Sequence, residues 1–254
     1  MRCCRYLTSL TVTHPCPATC ADCADRAIIV HKTQGKLTAA ETLYTGANST
    51  VVSFTDKNNH SVAVKFARTN ARTVVASRLS ASLVAAGVVA SDGWIIVMEK
   101  ASKTAADKVA DVCGFVDFVV SVYREAVTRG VCLSDLKPSN IGLFGTQWRL
   151  IDHDMIADSD DPSTVSSWGR APLEVGGTPD HEDDSWIALT RWAALVTAVW
   201  PILSNPERAV VVTPSSKLRY ATISAALTTN DAVTAKLESV GIFDRNDARF
   251  VAGE

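Results

Sequence analysis

Asp135, Lys137 and Asn140 place a carboxylate, an ammonium and an amide within six residues, in the run Cys132-Leu133-Ser134-Asp135-Leu136-Lys137-Pro138-Ser139-Asn140. Asp152 follows Asn140 by twelve residues and opens Asp152-His153-Asp154. These types at this spacing suit phosphoryl transfer. Asp135 can accept the proton of an attacking hydroxyl. Lys137 can neutralise charge on the transferring phosphate. Asn140 and Asp152 can hold Mg2+ against nucleotide phosphates. The bland alternative for the same residues is a helix cap ahead of a strand.

The flanking pattern supplies elements that could position this set. Val51–Thr55 and Ser61–Phe66 are β-branched runs joined by the polar turn Asp56-Lys57-Asn58-Asn59-His60, which predicts a hairpin. Residues 71–86 are rich in Ala, Val, Leu and Ser and predict a helix, and Trp94–Glu99 predicts a buried strand. Ala105–Arg129 predicts two helices, with Gly130 as a stop. The short run Gln147–Ile151 predicts the strand that delivers Asp152. Residues 1–37 read as an irregular, cysteine-rich extension, with 38–254 as the main domain.

Composition bounds the classes. With 254 residues, 47% hydrophobic and 20% charged, the chain can bury a sizeable core and is not a disordered one. A net charge of −2 gives no electrostatic case for nucleic acid or an acidic membrane surface. No run of eighteen apolar residues predicts a membrane span, and the basic N-terminus has too weak an apolar stretch for a signal peptide, so an intracellular location is expected. Five of the seven cysteines, Cys3, Cys4, Cys16, Cys20 and Cys23, lie in the first 23 residues beside His14. The spacing of Cys16, Cys20 and Cys23 is compatible with Zn2+, with His14 or Cys3/Cys4 completing a tetrahedron. A leader without metal is the other reading.

Leu133-Ser134-Asp135-Leu136-Lys137-Pro138-Ser139-Asn140 followed by Asp152-His153-Asp154 resembles the catalytic loop and Asp-Phe-Gly of eukaryotic-type protein kinases, serine/threonine class. The resemblance implies an α+β, bilobal fold, with a small β-rich N-lobe at 38–99 and a helical C-lobe at 102–254. It also implies roles by position. Gly46 stands at the Gly-rich phosphate loop. Lys65, in Val62-Ala63-Val64-Lys65, would reach into a cleft and hold the α- and β-phosphates of ATP. Met98 would be the residue beside the adenine, with the backbone of Glu99 and Ala101 binding the base. Asp184 would brace the catalytic loop, and Arg249 would pair with Glu174. Compact kinases carried by large DNA viruses are similar in their degree of erosion.

Four departures qualify that implication. No Asp or Glu lies between Phe66 and Ser91, so Lys65 lacks the usual helix-borne acid. Leu133-Ser134 replaces His-Arg, Asp154 replaces a glycine, and the phosphate loop keeps only Gly46 of three glycines. The expected function is ATP- and Mg2+-dependent transfer to a protein Ser or Thr hydroxyl. A pseudokinase acting as a nucleotide-binding or scaffold module is the alternative. A small-molecule kinase is a third reading, against which Lys137 and Pro138 argue. Expected partners are ATP and a protein substrate, without nucleic acid or membrane. Asp154 is expected to compensate Lys65 for the missing acid.

Overall fold

The β-branched runs of the first half form strands, and those at Ser49–Thr55, Ser61–Ala67 and Ile95–Glu99 are buried along nearly all their length, as the inner strands of a covered sheet are. The computed structural model describes residues 9–13, 28–32, 34–46, 49–67, 79–90, 95–133, 135–152, 156–158, 186–213, 218–247 and 250. The fold is mixed α+β, strand-rich in its first half and helical in its second. The chain divides into two units, Met1–Ser77 with Val84–Ser102, and Arg78–Leu83 with Lys103–Glu254.

The first unit carries a seven-stranded antiparallel sheet: β1 (Leu10–Thr13), β2 (Ile28–His31), β3 (Gly35–Thr45), β4 (Ser49–Thr55), β5 (Ser61–Ala67), β6 (Gly87–Ala90) and β7 (Ile95–Glu99). Their spatial order is β1-β2-β3-β4-β5-β7-β6. Ile29, Leu37, Val52, Phe54, Val62, Val64, Phe66, Ile95 and Val97 form one buried cluster. The alternate residues Ala63, Ile96 and Met98, with Val51, form a second cluster. The β4–β5 turn is made by Asp56, whose carboxylate accepts from the N–H groups of Asn58 (2.7 Å) and His60 (2.9 Å), while Asn59 takes φ 65°. Such left-handed geometry is best tolerated by Asn among non-glycine residues.

Two expectations fail here. β1 and β2 lie within the first 37 residues, read from sequence as irregular, yet both pair into the sheet, and Ile29 and Leu37 are fully buried in its core. They are short strands among cysteines and prolines, with too few residues each to show a period. The helix expected over 71–86 lies partly outside the described residues. Its described end, 79–86, is turns and a single bridge residue rather than helix, and it leads directly into β6.

The second unit holds β8 (Lys103–Thr104), α1 (Val112–Thr128), β9 (Val131–Leu133), β10 (Ile141–Phe144), β11 (Gln147–Leu150), β12 (Ile156–Asp158), α2 (Trp186–Val199), α3 (Asn205–Val212), α4 (Arg219–Thr228) and α5 (Asp231–Glu238). One helix stands where two are expected between 105 and 129. Asp107 turns the chain first, accepting from Thr104 N–H at 3.1 Å, and Asp111 then caps α1 by accepting from Gly114 N–H at 2.9 Å. Gly130 follows the helix with φ 62°, as its role of stop requires. α2 is buried from Leu189 to Val199 except at Arg191, and packs against α1, β9 and α4. A helix apolar on nearly all sides belongs at the centre of its unit. No helix among the described residues is long and apolar enough to cross a membrane.

Candidate active site

The loop that carries Asp135 is pinned by its apolar neighbours. Leu133 and Leu136 are fully buried on either side, while Asp135 and Lys137 are half-buried. Pro138 disfavours helical geometry in the residue before it. Lys137 accordingly sits extended, at φ −150° and ψ 160°, and Pro138–Asn140 then make one 3-10 turn, closed by Asn140 N–H on Lys137 O at 2.9 Å. This turn swings Asn140 back onto Asp135. Asn140 Nδ2 donates to Asp135 O at 2.9 Å and to Asp135 Oδ2 at 3.2 Å, and Lys137 Nζ donates to the same Oδ2 at 2.5 Å. Three of the four residues read as chemical from sequence therefore touch.

Asp152 is delivered by a hairpin. β10 and β11 pair from Ile141↔Leu150 to Phe144↔Gln147 across a two-residue turn that starts at Gly145, φ 62°. Beyond it, Ile151 N–H donates to Asn140 O at 3.0 Å, which sets Asp152 one residue from a direct contact with the Asn140 backbone. The chain then returns as β12 alongside β9, with Ile156 opposite Leu133. The loop bearing Asp135 thus leaves β9, and the segment bearing Asp152 leaves β11 ahead of β12, the strand that pairs with β9.

Two buried hydroxyls that the sequence reading passed over hold the loop from α2. Thr190 Oγ1 accepts from Leu133 N–H at 3.2 Å, and Thr197 Oγ1 donates to Leu136 O at 3.0 Å. The signal for them was present: apart from Arg191 they are the only polar side chains between Ile187 and Val199. Burial pushes the Cys132 thiol up, a shift that a hydrogen bond with Thr190 partly offsets. Glu125 was also missed. Its carboxylate accepts from Ser80 N–H and Oγ at 2.6 and 2.9 Å and pairs with Arg129 at 2.9 Å, tying the 79–83 turn to α1.

In the first unit, Lys65 is 5% exposed, an unusual position for a lysine. Its strand neighbours Val64 and Phe66 belong to the main core cluster, so alternation puts Lys65 on the other face, with Ala63. Val51 on β4 and Ile96 on β7 are its register partners. Met98 shares this face and stands opposite Ala63. Glu99 N–H donates to Ala86 O at 3.2 Å, and Ala101 follows in irregular chain. Gly46 follows directly on β3, its N–H bonded to Ser49 O at 3.0 Å.

Cys16, Cys20, Cys23 and His14 lie outside the described residues, as do Asp154, Glu174, Asp184 and Arg249. Among the described residues no group of three His, Cys, Asp or Glu side chains gathers as a metal cluster would. Asn140 and Asp152 nevertheless supply hard oxygen ligands of the kind Mg2+ takes in company with phosphate and water. A cavity of about 520 Å³ in the second unit, lined by Lys103, Asp111, Phe118 and Trp148 among others, includes none of the candidate residues. Compared with protein-family models and with curated proteins, the chain matches none.

Proposed function

We propose that the protein is a divergent, eukaryotic-type protein kinase that transfers the γ-phosphate of ATP to a Ser or Thr hydroxyl. The observation that carries this reading is the contact set of Asp135, Lys137 and Asn140 at the end of β9. Asp135 presents a carboxylate held by two neighbours, suited to orient a hydroxyl and take its proton. Lys137, now paired with that carboxylate, is near enough to turn to a phosphate oxygen. Asn140 donates to Asp135 through Nδ2, so its Oδ1 is the ligand atom, and Asp152 supplies a second oxygen donor. Mg2+ bound with ATP supplies charge neutralisation of the phosphates.

The first unit supports the same reading by itself. Lys65 is a buried cation on a sheet face that is otherwise apolar at Ala63, Ile96 and Met98, a surface suited to a flat base beside an anion. Because Glu99 N–H is committed to Ala86, contacts to the base fall to the Glu99 carbonyl and the Ala101 N–H.

The test is thermal stability with ATP, with and without Mg2+, followed by transfer of labelled γ-phosphate to a Ser/Thr peptide library. A ligand at a hundred times its dissociation constant stabilises by about 2.7 kcal/mol, a readily measured shift. Mg2+-dependent stabilisation with transfer is the expected result. Stabilisation without transfer would refute the kinase reading and make the protein a nucleotide-binding pseudokinase, and the absence of both stabilisation and transfer would overturn nucleotide binding as well.

A further inference from the structure

We propose that Thr190 and Thr197 are positioning residues, a pair of hydroxyls on α2 that grip the backbone on both sides of Asp135 and set where its carboxylate points. This rests on the phosphoryl-transfer reading of Asp135.

A threonine inside a helix ordinarily returns its hydroxyl to the carbonyl four residues back. The helices of this protein follow that habit elsewhere: Thr128 donates to Arg124 O and Thr228 to Ser224 O, each at 2.8 Å. Thr190 and Thr197 break it. Their bonds leave the helix and reach residues 57 and 61 positions away in the chain. Both side chains are fully buried, where an unused hydroxyl would be costly, so the bonds are required as well as possible.

The spacing of the pair fits the segment it holds. Seven residues are close to two helical turns, which puts Thr190 and Thr197 on one face of α2 about 10.5 Å apart along the axis. Leu133 and Leu136 are three residues apart, a stretch of chain that spans at most about 10–11 Å. The helix thus offers one acceptor and one donor, each within hydrogen-bond reach of one of the two backbone groups. The polarity is also matched, because Thr190 receives an N–H and Thr197 gives to a carbonyl. Asn140 holds the intervening Asp135 carbonyl. The Leu133 N–H, the Asp135 carbonyl and the Leu136 carbonyl are therefore each held by a side chain, which restrains the backbone around the reacting residue. α3, α4 and α5 offer no such contact to this loop among the described residues.

The experiment replaces each hydroxyl by a methyl, Thr190→Val and Thr197→Val, with Thr190→Ser and Thr197→Ser as hydroxyl-retaining controls. Hydrogen exchange of the peptide covering 131–137 is read first, since it does not depend on activity. The Val variants should exchange there about tenfold faster or more, with α1 unchanged, and the Ser variants should match the parent. Phosphate transfer is read next, at a temperature where all variants are folded. The Val variants should lose kcat by about 10²-fold, the scale of a small misplacement, while KM for ATP moves less than about twofold. Faster exchange together with lower kcat supports the proposal. Unchanged exchange overturns it, and so does unchanged kcat per folded molecule, which would leave the two threonines as ordinary core residues. A parent protein that transfers no phosphate refutes the kinase reading, and the clamp on the loop then stands or falls on the exchange result alone.

Discussion

Lys137 Nζ stands 2.5 Å from Asp135 Oδ2, although only Leu136 separates the two in sequence. Leu136 makes this possible. Its side chain is fully buried, so the residues on either side of it project together toward the surface. The pair is partly open to solvent, with side chains 23% and 33% exposed, and such pairs contribute little to stability. A cheap contact is easily exchanged, which suits a lysine that must leave a carboxylate for a phosphate.

Asp135→Asn should therefore leave the fold and ATP binding nearly intact while removing transfer. Loss of a positioned general base lowers rates by about 10²–10⁴-fold. The amide can still accept from Asn140, so the thermal midpoint should hardly move. Equal kcat in parent and variant would exclude Asp135 as the base.

Removing residues 1–37 should unfold the first unit. The sequence suggested a dispensable leader, but Ile29 and Leu37 are 0% and 1% exposed in the cluster that also buries Phe54, Phe66 and Val97. Burying one such aliphatic side chain stabilises by about 1.5–3 kcal/mol, so losing both strips a large part of a domain's margin. The truncated protein should lose cooperative unfolding of its strand-rich half, seen by near-UV circular dichroism or NMR. A well-folded truncation would mean that β1 and β2 only decorate the sheet. Zinc at Cys16, Cys20 and Cys23 is better tested by metal analysis of the full chain against a triple Cys→Ser variant.

Gly145→Ala should destabilise the second unit by about 1–2 kcal/mol, the cost of left-handed geometry for a residue with a Cβ. The turn residue has φ 62°, and a Cβ built there meets nothing within 4 Å, so backbone strain is the only cost. Gly145→Asn, which tolerates this region better, should recover part of the loss in urea denaturation. Equal losses in Ala and Asn would point to a cause other than φ. Because β10 and β11 deliver Asp152, transfer activity should fall in step with stability of the hairpin.

The β4–β5 hairpin, the β7 strand and the Asp135 set were legible because they rest on local signals: β-branched runs such as Val62–Phe66, and fixed spacing in Asp-Leu-Lys-Pro-Ser-Asn. What was not legible depends on distant partners. Nothing near Thr190 announces that its acceptor serves Leu133, 57 residues earlier. The extent of α1 was misjudged because Ala-rich 105–110 has helical propensity, while the deciding groups are the Asp107 and Asp111 carboxylates that bond the backbone locally. The end of the expected 71–86 helix fails for a similar reason. Its Ala and Leu residues favour helix, but Ser80 is claimed by Glu125 and the Leu83 carbonyl by Leu150 N–H at 2.8 Å.

The start of α3 gives a prediction in pH. Glu207 Oε2 accepts from Ser204 N–H at 2.7 Å and from Ser204 Oγ at 2.6 Å, closing the first turn of the helix. Those bonds hold the Glu207 carboxyl below its ordinary value of 4.5, the Ser204 hydroxyl contributing most. A depressed folded pKa means that the unfolded chain binds the proton more readily. The stabilisation is therefore complete above about pH 4.5 and is lost as pH falls through the lower folded value. Glu207→Gln keeps an acceptor but carries no charge, so it should lack this dependence. The stability difference between parent and Glu207→Gln, from urea midpoints, should be largest at pH 6–7 and shrink steadily below about pH 4.5. Ser204→Ala should flatten the same difference by removing the main donor. A parent-minus-variant difference that stays constant from neutral pH to pH 3 would show that the carboxylate charge has no part in capping α3.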